Sequence, residues 1–350
     1  MKTVMSSSVR KSRLVDGRVV PPSHFEVIAV DHCNLACPSC NHASPFVSPW
    51  FADPETVYRD LSVLAKYYRP GMVKIIGGEP LLHDRLNLVV QAVRATGLCE
   101  CISLSTNATL LHLANDAIWE AIDEIQISVY PGAAANLVDN IFLAKEKALH
   151  MGKKITLFRY DTFRKTFALQ GSNDQTLVDK VYAACKIANY WGCHAVRDGY
   201  FYKCPQSIYL PDLTKGKVAV ERLAIVDRDD FATTLLDFVN APVPLSSCAH
   251  CTGTVGVMEE ISKIPRGQLA RHIDLALEDI IDYPWLERSL VTHDNFDDCN
   301  IVLHFKMPRL LLGIPWLQKM LREKLPAPIK SKFIRVGRRP VRTLLSDNRP

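Results

Sequence analysis

Five apolar runs of about six residues recur along the first half of the chain. Between them lie longer stretches in which apolar positions fall three or four apart. FEVIAV (25–30), VKIIGG (73–78), CISLST (101–106), EIQISV (124–129) and KITLFR (154–159) are the runs. Each predicts a short strand buried on both faces. A helix is predicted to open at Asp53-Pro54, with Asp as N-cap and Pro in the first turn. Others are predicted over 86–95, closed by Gly97, and over 109–121 and 134–150. Buried strands alternating with amphipathic helices make parallel βαβ units, whose active loops lie at the strand C-termini. The fold expected is α/β, a partial (β/α)6-type TIM barrel. After about residue 175 the alternation stops. RDGYFYKCP (197–205) predicts a hairpin turning at Asp198-Gly199, and a last helical region is expected from near Glu259. Three regions follow: a core over 20–175, a small cysteine-rich domain over 176–260 and a helical extension with a basic tail over 261–350.

Composition narrows the class. The opening residues MKTVMSSSVRKSR are basic and serine-rich, with no apolar segment after them, so they read as a ragged terminus rather than a secretory signal. No apolar run approaches a membrane span. Eleven cysteines without an export signal point to a reducing compartment, where clustered thiols mean metal or catalysis before disulfides. A cytoplasmic protein is expected. The net charge of +5 is uneven: from Phe305 onward there are twelve Lys/Arg and two acids, Glu323 and Asp347, leaving the preceding 304 residues at −5. Leu310, Ile314, Leu317 and Leu321 share a helical face in that tail, although Pro315 interrupts it. Two readings of the tail stand side by side: a helix lying peripherally on the inner membrane surface, and a terminal helix packed on the body with a basic end. Nucleic-acid binding ranks third, since no readout module accompanies the charge.

The chemistry is carried by strand-end loops. Cys33, Cys37 and Cys40 fall within eight residues directly after the first strand. Structural zinc takes four ligands, usually as two pairs, and three thiols are an odd number for disulfides. Gly77-Gly78-Glu79-Pro80 ends the second strand, Thr106-Asn107 the third and Tyr130-Pro131-Gly132 the fourth. Two glycines at a strand end let the backbone approach another group closely.

With Cys-x-x-x-Cys-x-x-Cys after the first strand and GGEP after the second, the stretch over roughly 24–160 resembles the radical S-adenosylmethionine (radical SAM) superfamily. The resemblance implies a [4Fe–4S] cluster on Cys33, Cys37 and Cys40, with the fourth iron open to the amino and carboxylate groups of SAM. One electron, from a flavodoxin- or ferredoxin-type donor, then cleaves SAM to a 5′-deoxyadenosyl radical that abstracts hydrogen from substrate. It also implies that Gly77, Gly78 and Glu79 line the methionine amino group, that Ser105 and Asn107 reach the ribose, and that Ser128 and Arg159 contact ribose and carboxylate. The residue before the third cysteine, often aromatic in the family, is Ser39 here. Adenine packing is therefore expected from Phe46 or Trp50.

Gly199-x-x-x-x-Cys204, with Cys185 before it and Cys248-x-x-Cys251 after, resembles a Twitch domain, the shortened relative of SPASM. That implies an auxiliary [4Fe–4S] cluster on Cys185, Cys204, Cys248 and Cys251. A four-cysteine zinc site would use the same ligands. Only Cys299 follows Cys251, so a second auxiliary cluster is not expected. Cys193 is left as an alternative ligand to Cys185, a hydrogen donor to a substrate radical, or a buried apolar residue. Cys99 and Cys101 read as structural, and His32, His42, His194 and His250 as packing or outer contacts of the cysteines. The expected activity is oxidation or epimerisation of a small molecule, sugar or lipid-linked substrate. The alternatives are a peptide-modifying maturase and a non-catalytic iron–sulfur or zinc protein docking through its tail.

Overall fold

The computed structural model describes residues 10–130, 137–261, 266–292 and 301–305. Strands β1 (Arg13–Val15) and β2 (Arg18–Val20) form a hairpin over Asp16-Gly17, both at positive φ (50° and 74°). The next five strands pair in parallel in chain order: β3 (Phe25–Val30), β4 (Met72–Gly77), β5 (Cys101–Thr106), β6 (Glu124–Val129) and β7 (Lys154–Arg159). β8 (Thr162–Arg164) leaves this sheet. β9 (His194–Arg197) joins it, parallel, at the other edge of β3, with Phe25 opposite His194. β10 (Tyr200–Tyr202) and β11 (Leu223–Ala224) extend that edge antiparallel. β12 (Met258–Glu260) pairs with β8, and β13 (Ile301–Phe305) closes the edge of β7 antiparallel.

Helices α1 (Pro54–Leu64), α2 (Leu86–Ala95), α3 (Asp116–Ala121) and α4 (Leu137–His150) are the crossovers. Asp53 caps α1 by accepting from the Thr56 N–H, a contact worth about 1 kcal/mol. Alternation sorts the strand side chains onto two faces. Phe25, Val27, Ile75, Leu104, Ile127 and Leu157 pack beneath α1 and α2 in the main core, at roughly 1.5–3 kcal/mol for each large side chain buried. The other face is mixed. Ile28 packs there with Ala195, Tyr202 and Tyr209, while Glu26, Ser103, Glu124 and Thr156 are buried polar residues in the same strands. A separate core joins α5 (Gln175–Ala184) to the later segment 277–286. α6 (Gln206–Leu213), α7 (Phe231–Asn240), α8 (Arg266–Ile273) and α9 (Tyr283–Val291) complete the described helices.

The parallel α/β architecture expected from the runs is present. The hairpin expected over 197–205 also supplies a sixth parallel strand: β9 pairs with the first strand, and the Asp198-Gly199 turn folds β10 back onto it. Two details differ. The helix expected over 109–121 is broken into a turn at Leu111–Leu113 and α3. Asn115 causes the break by turning extended and capping Ile118 N–H at 3.1 Å. The segment at Glu259 is strand β12, not helix: it is held by its ladder to β8, and helix resumes at Arg266. Cys299 and the amphipathic face of the tail lie outside the described residues. Among the described residues, no helix is long and apolar enough to cross a membrane.

Candidate active site and cysteine centres

The loop after β3 is fixed at both ends by backbone contacts to β4. Gly78 N–H donates to Val30 O at 2.8 Å and Glu79 N–H to His32 O at 3.0 Å. A Cβ on Gly78 would lie 1.9 Å from His32 O, and one on Gly77, at φ 154°, 2.1 Å from Val30 O. The glycines are required here because the second strand end lies against the backbone that leads into the cysteines. Within the loop Cys40 N–H donates to Cys37 O at 3.2 Å and Leu35 N–H to Cys33 Sγ at 3.4 Å. Burial pushes the Cys33 thiol well up, and Glu79, Cys40 and Cys37 add to it; Cys37 is pushed up to about 12 by burial and by Cys40. The three sulfurs thus lie within each other's electrostatic reach, where a shared cation would relieve their repulsion as thiolates.

Glu79 is fully buried and accepts from Thr106 Oγ1 (2.7 Å), Asn107 N–H (2.8 Å) and Leu81 N–H (3.1 Å). Burial raises its pKa to about 7, against the pull of those donors. It locks the ends of β4 and β5 together. Asn107 donates through Nδ2 to Asn34 Oδ1 at 2.9 Å and to Cys33 Sγ at 3.6 Å, and its Oδ1 accepts from Thr109 N–H at 3.0 Å. Its amide is therefore engaged with the cysteine loop. Ser105 and Ser128 are half-buried at the ends of β5 and β6. Arg159 Nε donates to Asp161 Oδ1 at 2.9 Å.

Ser39 is buried and donates to Glu259 Oε2 at 2.6 Å, an oxygen also 2.7 Å from His272 Nε2. The cysteine loop is thereby tied to β12 and α8. Trp50 has the Arg197 guanidinium over its ring at 4.0 Å, and Phe46 packs against the core around Ile28 and Tyr209. Sequence reasoning missed an aromatic group at the ends of β6 and β7. Tyr130 and Tyr160 stack at 6.0 Å, Tyr160 and Phe163 at 6.0 Å, and Phe158 and Tyr160 at 6.2 Å. Cys37 and Cys40 lie within electrostatic reach of Tyr130. The available signal was an aromatic residue directly after each of these strands.

Cys185, Cys204, Cys248 and Cys251 line one cavity, together with Tyr182, Lys203 and Gly253. Cys193 is not among its lining residues. Burial raises the pKa of Cys185 to about 11, and it drives Cys248 and Cys251 up further with help from their neighbouring thiols. Gly253 N–H donates to Cys251 Sγ at 3.3 Å, and at φ +58° a Cβ there would meet Cys185 Sγ at 2.7 Å. Lys203, 2% exposed, donates to Ala241 O at 2.6 Å and is a buried cation within reach of three of the thiols. Four converging thiols, a sulfur-directed N–H and a buried ammonium suit a group that is anionic once its thiolates are bound. The histidines beside the cysteines make other contacts: His194 bonds Tyr68 OH at 2.9 Å, His250 bonds Ala168 O at 3.1 Å, and His32 packs edge-on against Phe51. Cys99 donates to Cys101 O at 3.1 Å at the start of β5.

No family-wide sequence profile matches the chain. Among curated proteins it is similar to GTP 3′,8-cyclase of Limosilactobacillus fermentum, 28% identical over 173 residues, or 45% of this chain and 48% of that enzyme. GTP 3′,8-cyclase of Parasynechococcus marenigrum is 34% identical over 134 residues, 34% of this chain and 36% of the relative. The chain thus spans half or less of the length of these two relatives. Among solved structures it is similar to BtrN in complex with AdoMet and 2-DOIA (TM-score 0.39, 18% identical, covering 62% of this chain and 82% of that one). It is also similar to anSMEcpe with AdoMet and Kp18Cys peptide (TM-score 0.41, 14% identical, covering 77% and 96%). The architecture rests on the strand order rather than on these scores. That strand order brings the three-cysteine loop and GGEP together at adjacent strand ends, as the resemblance to the radical SAM superfamily implies.

Proposed function

We propose that the chain is a radical SAM enzyme acting on a small polar molecule, with a catalytic [4Fe–4S] cluster on Cys33, Cys37 and Cys40 and an auxiliary one on Cys185, Cys204, Cys248 and Cys251. The observation that carries the reading is the loop itself: three thiols on one loop, backed by the glycine pair of β4, would hold a cubane through three of its irons. Bound there with SAM, the cluster supplies reductive cleavage of the sulfonium and hydrogen abstraction from substrate. The chain's own residues bind and orient. Asn107 and the Leu35 N–H hold Cys33 by hydrogen bonds to its sulfur, and Glu79 fixes the strand ends below it.

A polar substrate is supported by Asp31 at the end of the first-strand core. It is 3% exposed, accepts from Arg197 NH1 at 2.7 Å, and keeps Oδ1 buried without a protein partner. Buried acceptors of this kind are ordinarily satisfied, so a hydroxyl or amino group of a ligand suits it. Oxidation or epimerisation of a sugar or lipid-linked metabolite is the substrate class proposed. A nucleoside triphosphate is a second reading, favoured by the name of the two curated relatives. Reduced, cluster-reconstituted protein incubated with SAM is expected to form 5′-deoxyadenosine, and to form more when a true substrate is added; absence of 5′-deoxyadenosine from fully loaded protein contradicts the proposal. Parallel incubations with sugar and nucleotide panels, GTP included, separate the two substrate readings.

A further inference from the structure

Cys193 lies outside the cavity lined by the other late cysteines, and its surroundings give it a different use. The parallel register places Phe25 opposite His194 and Glu26 opposite Ala195. One step back along both strands, Cys193 therefore stands beside His24. Alternation puts positions 24, 26, 193 and 195 on one face of the sheet. One nitrogen of His24, one carboxylate oxygen of Glu26 and the sulfur of Cys193 consequently all fall within 4.8 Å of one another. The thiol and carboxylate are buried, at 6% and 6% exposure.

We infer that His24, Glu26 and Cys193 form a divalent-metal site at the start of β3 and β9, with Zn²⁺ as the ion their chemistry selects. Imidazole, thiolate and carboxylate together match zinc, whereas calcium and magnesium take oxygen ligands. Bonds of ~2.0–2.3 Å to a tetrahedral ion set ligand atoms ~3.2–3.8 Å apart. His24 Nε2 and Glu26 Oε1 are already 3.1 Å apart, and with all three atoms within 4.8 Å of one another the sulfur has at most about an ångström to move.

The surroundings carry the features that metal ligands ordinarily have. Ser23 Oγ lies 3.1 Å from His24 Nδ1, where it fixes the ring and leaves Nε2 to face the site. His42 Nε2 sits 3.4 Å from the second carboxylate oxygen, and its own Nδ1 is 2.9 Å from Asn41 Oδ1, so Glu26 is oriented from both sides. The fourth position falls to water. His24 is 19% exposed at its side chain and Glu26 8%, which gives the ion an entry path past the imidazole. Binding displaces the Cys193 thiol proton to solvent, and the two-electron donors are the thiolate sulfur, the imidazole nitrogen and a carboxylate oxygen; no oxidation state changes. Lys74, opposite Glu26 in the β3–β4 register, is a neighbouring cation that the ion must tolerate. An ion bound here clamps the first strand to the hairpin strand that leads, through Tyr202, to Cys204.

The test uses full-length protein with its iron–sulfur clusters reconstituted anaerobically, titrated with Zn²⁺ and desalted. Metal analysis is expected to give about one zinc per chain with iron unchanged, and the zinc X-ray absorption edge to fit one sulfur with nitrogen and oxygen ligands. Cys193→Ser and His24→Ala are each expected to weaken zinc binding at least tenfold, to keep wild-type iron and to form 5′-deoxyadenosine as before. Zinc is also expected to raise the thermal midpoint of wild type and not of Cys193→Ser. Retention of zinc by both variants, absence of zinc from wild type, or a zinc edge with three or four sulfurs overturns the site. So does loss of about half the iron from Cys193→Ser, which would make the residue a cluster ligand. If Cys193→Ser does not fold, His24→Ala, at the more exposed ligand, decides by the same readouts. Failure of SAM cleavage in wild type leaves this inference standing, because its readout is zinc.

Discussion

The two cysteine groups are built in opposite ways. Cys33, Cys37 and Cys40 come from one loop, and most of what positions them is close by: the backbone of the loop, the glycine pair of the next strand and the amide of Asn107. Cys185, Cys204 and the Cys248/Cys251 pair come from three places along the chain, and tertiary packing of α5, the β9–β10 hairpin and the turn before Gly253 brings them to one cavity. A local group can be read from spacing; a dispersed group exists only when its whole neighbourhood has folded. The first is expected to be most sensitive at the glycine pair against its backbone, while the second is exposed to change in any of three elements.

The largest effect expected from breaking this contrast is at Gly78. Gly78→Val places Cβ 1.9 Å from His32 O, so the loop itself must move. Iron is expected to fall from about eight to about four per chain, on two cubanes, with SAM cleavage lost and the cavity cysteines still loaded. Wild-type iron in this variant, with SAM affinity intact by calorimetry, would detach the loop from the strand end. Next in size, Gly253→Ala forces a side chain into a left-handed position against Cys185 Sγ and is expected to cost about 1–3 kcal/mol. It should deplete the second iron pool while the first remains; equal loss from both pools would make the two groups one folding unit.

A pH series sharpens the local side. Glu79 has its folded pKa raised by burial to about 7, above the roughly 4.3 of an exposed carboxylate. Its contribution is fully present below the unfolded value and is lost as pH rises through about 7. The thermal midpoint of wild type is expected to fall between those limits, and Glu79→Gln to flatten that fall; identical profiles would remove Glu79 from the account. The smallest effect is expected from Asn107→Ala, which deletes the bonds to Cys33 Sγ and Asn34 Oδ1 at about 1–2 kcal/mol. It should shift the spectrum or potential of the loop cluster alone, and an unchanged signal would leave Asn107 with a packing role.

The five parallel strands were legible because each is a short apolar-rich run between helical stretches, and the strand-end motifs followed from them; only the first is buried along its whole length, while β4 and β6 alternate buried and half-buried positions. Other features lay beyond reach. The Arg13–Val20 hairpin carries Asp16-Gly17 between the short runs RLV and RVV, a signal present in the sequence but hidden beside a basic, serine-rich terminus. β12 has three residues and pairs with β8 almost a hundred positions earlier, so no local period marks it. Asn115 broke a helix that periodicity alone carried through, since a cap competes with the ladder through its side chain. The aromatic group around Tyr160 and the triad at Cys193 needed strand register, which spacing does not supply. The loop cysteines stood out by their spacing; their neighbours Asn34, Thr109 and Glu259 did not.

The central claim is that the three-cysteine loop and the four-cysteine cavity hold separate groups of which only the first cleaves SAM. Replacing Cys33, Cys37 and Cys40 together by Ala in anaerobically reconstituted protein tests it most directly, with iron, sulfide and 5′-deoxyadenosine measured on one sample. The account predicts about four iron and four sulfide per chain and no 5′-deoxyadenosine. Loss of all the iron, retention of all of it, or continued formation of 5′-deoxyadenosine would contradict it.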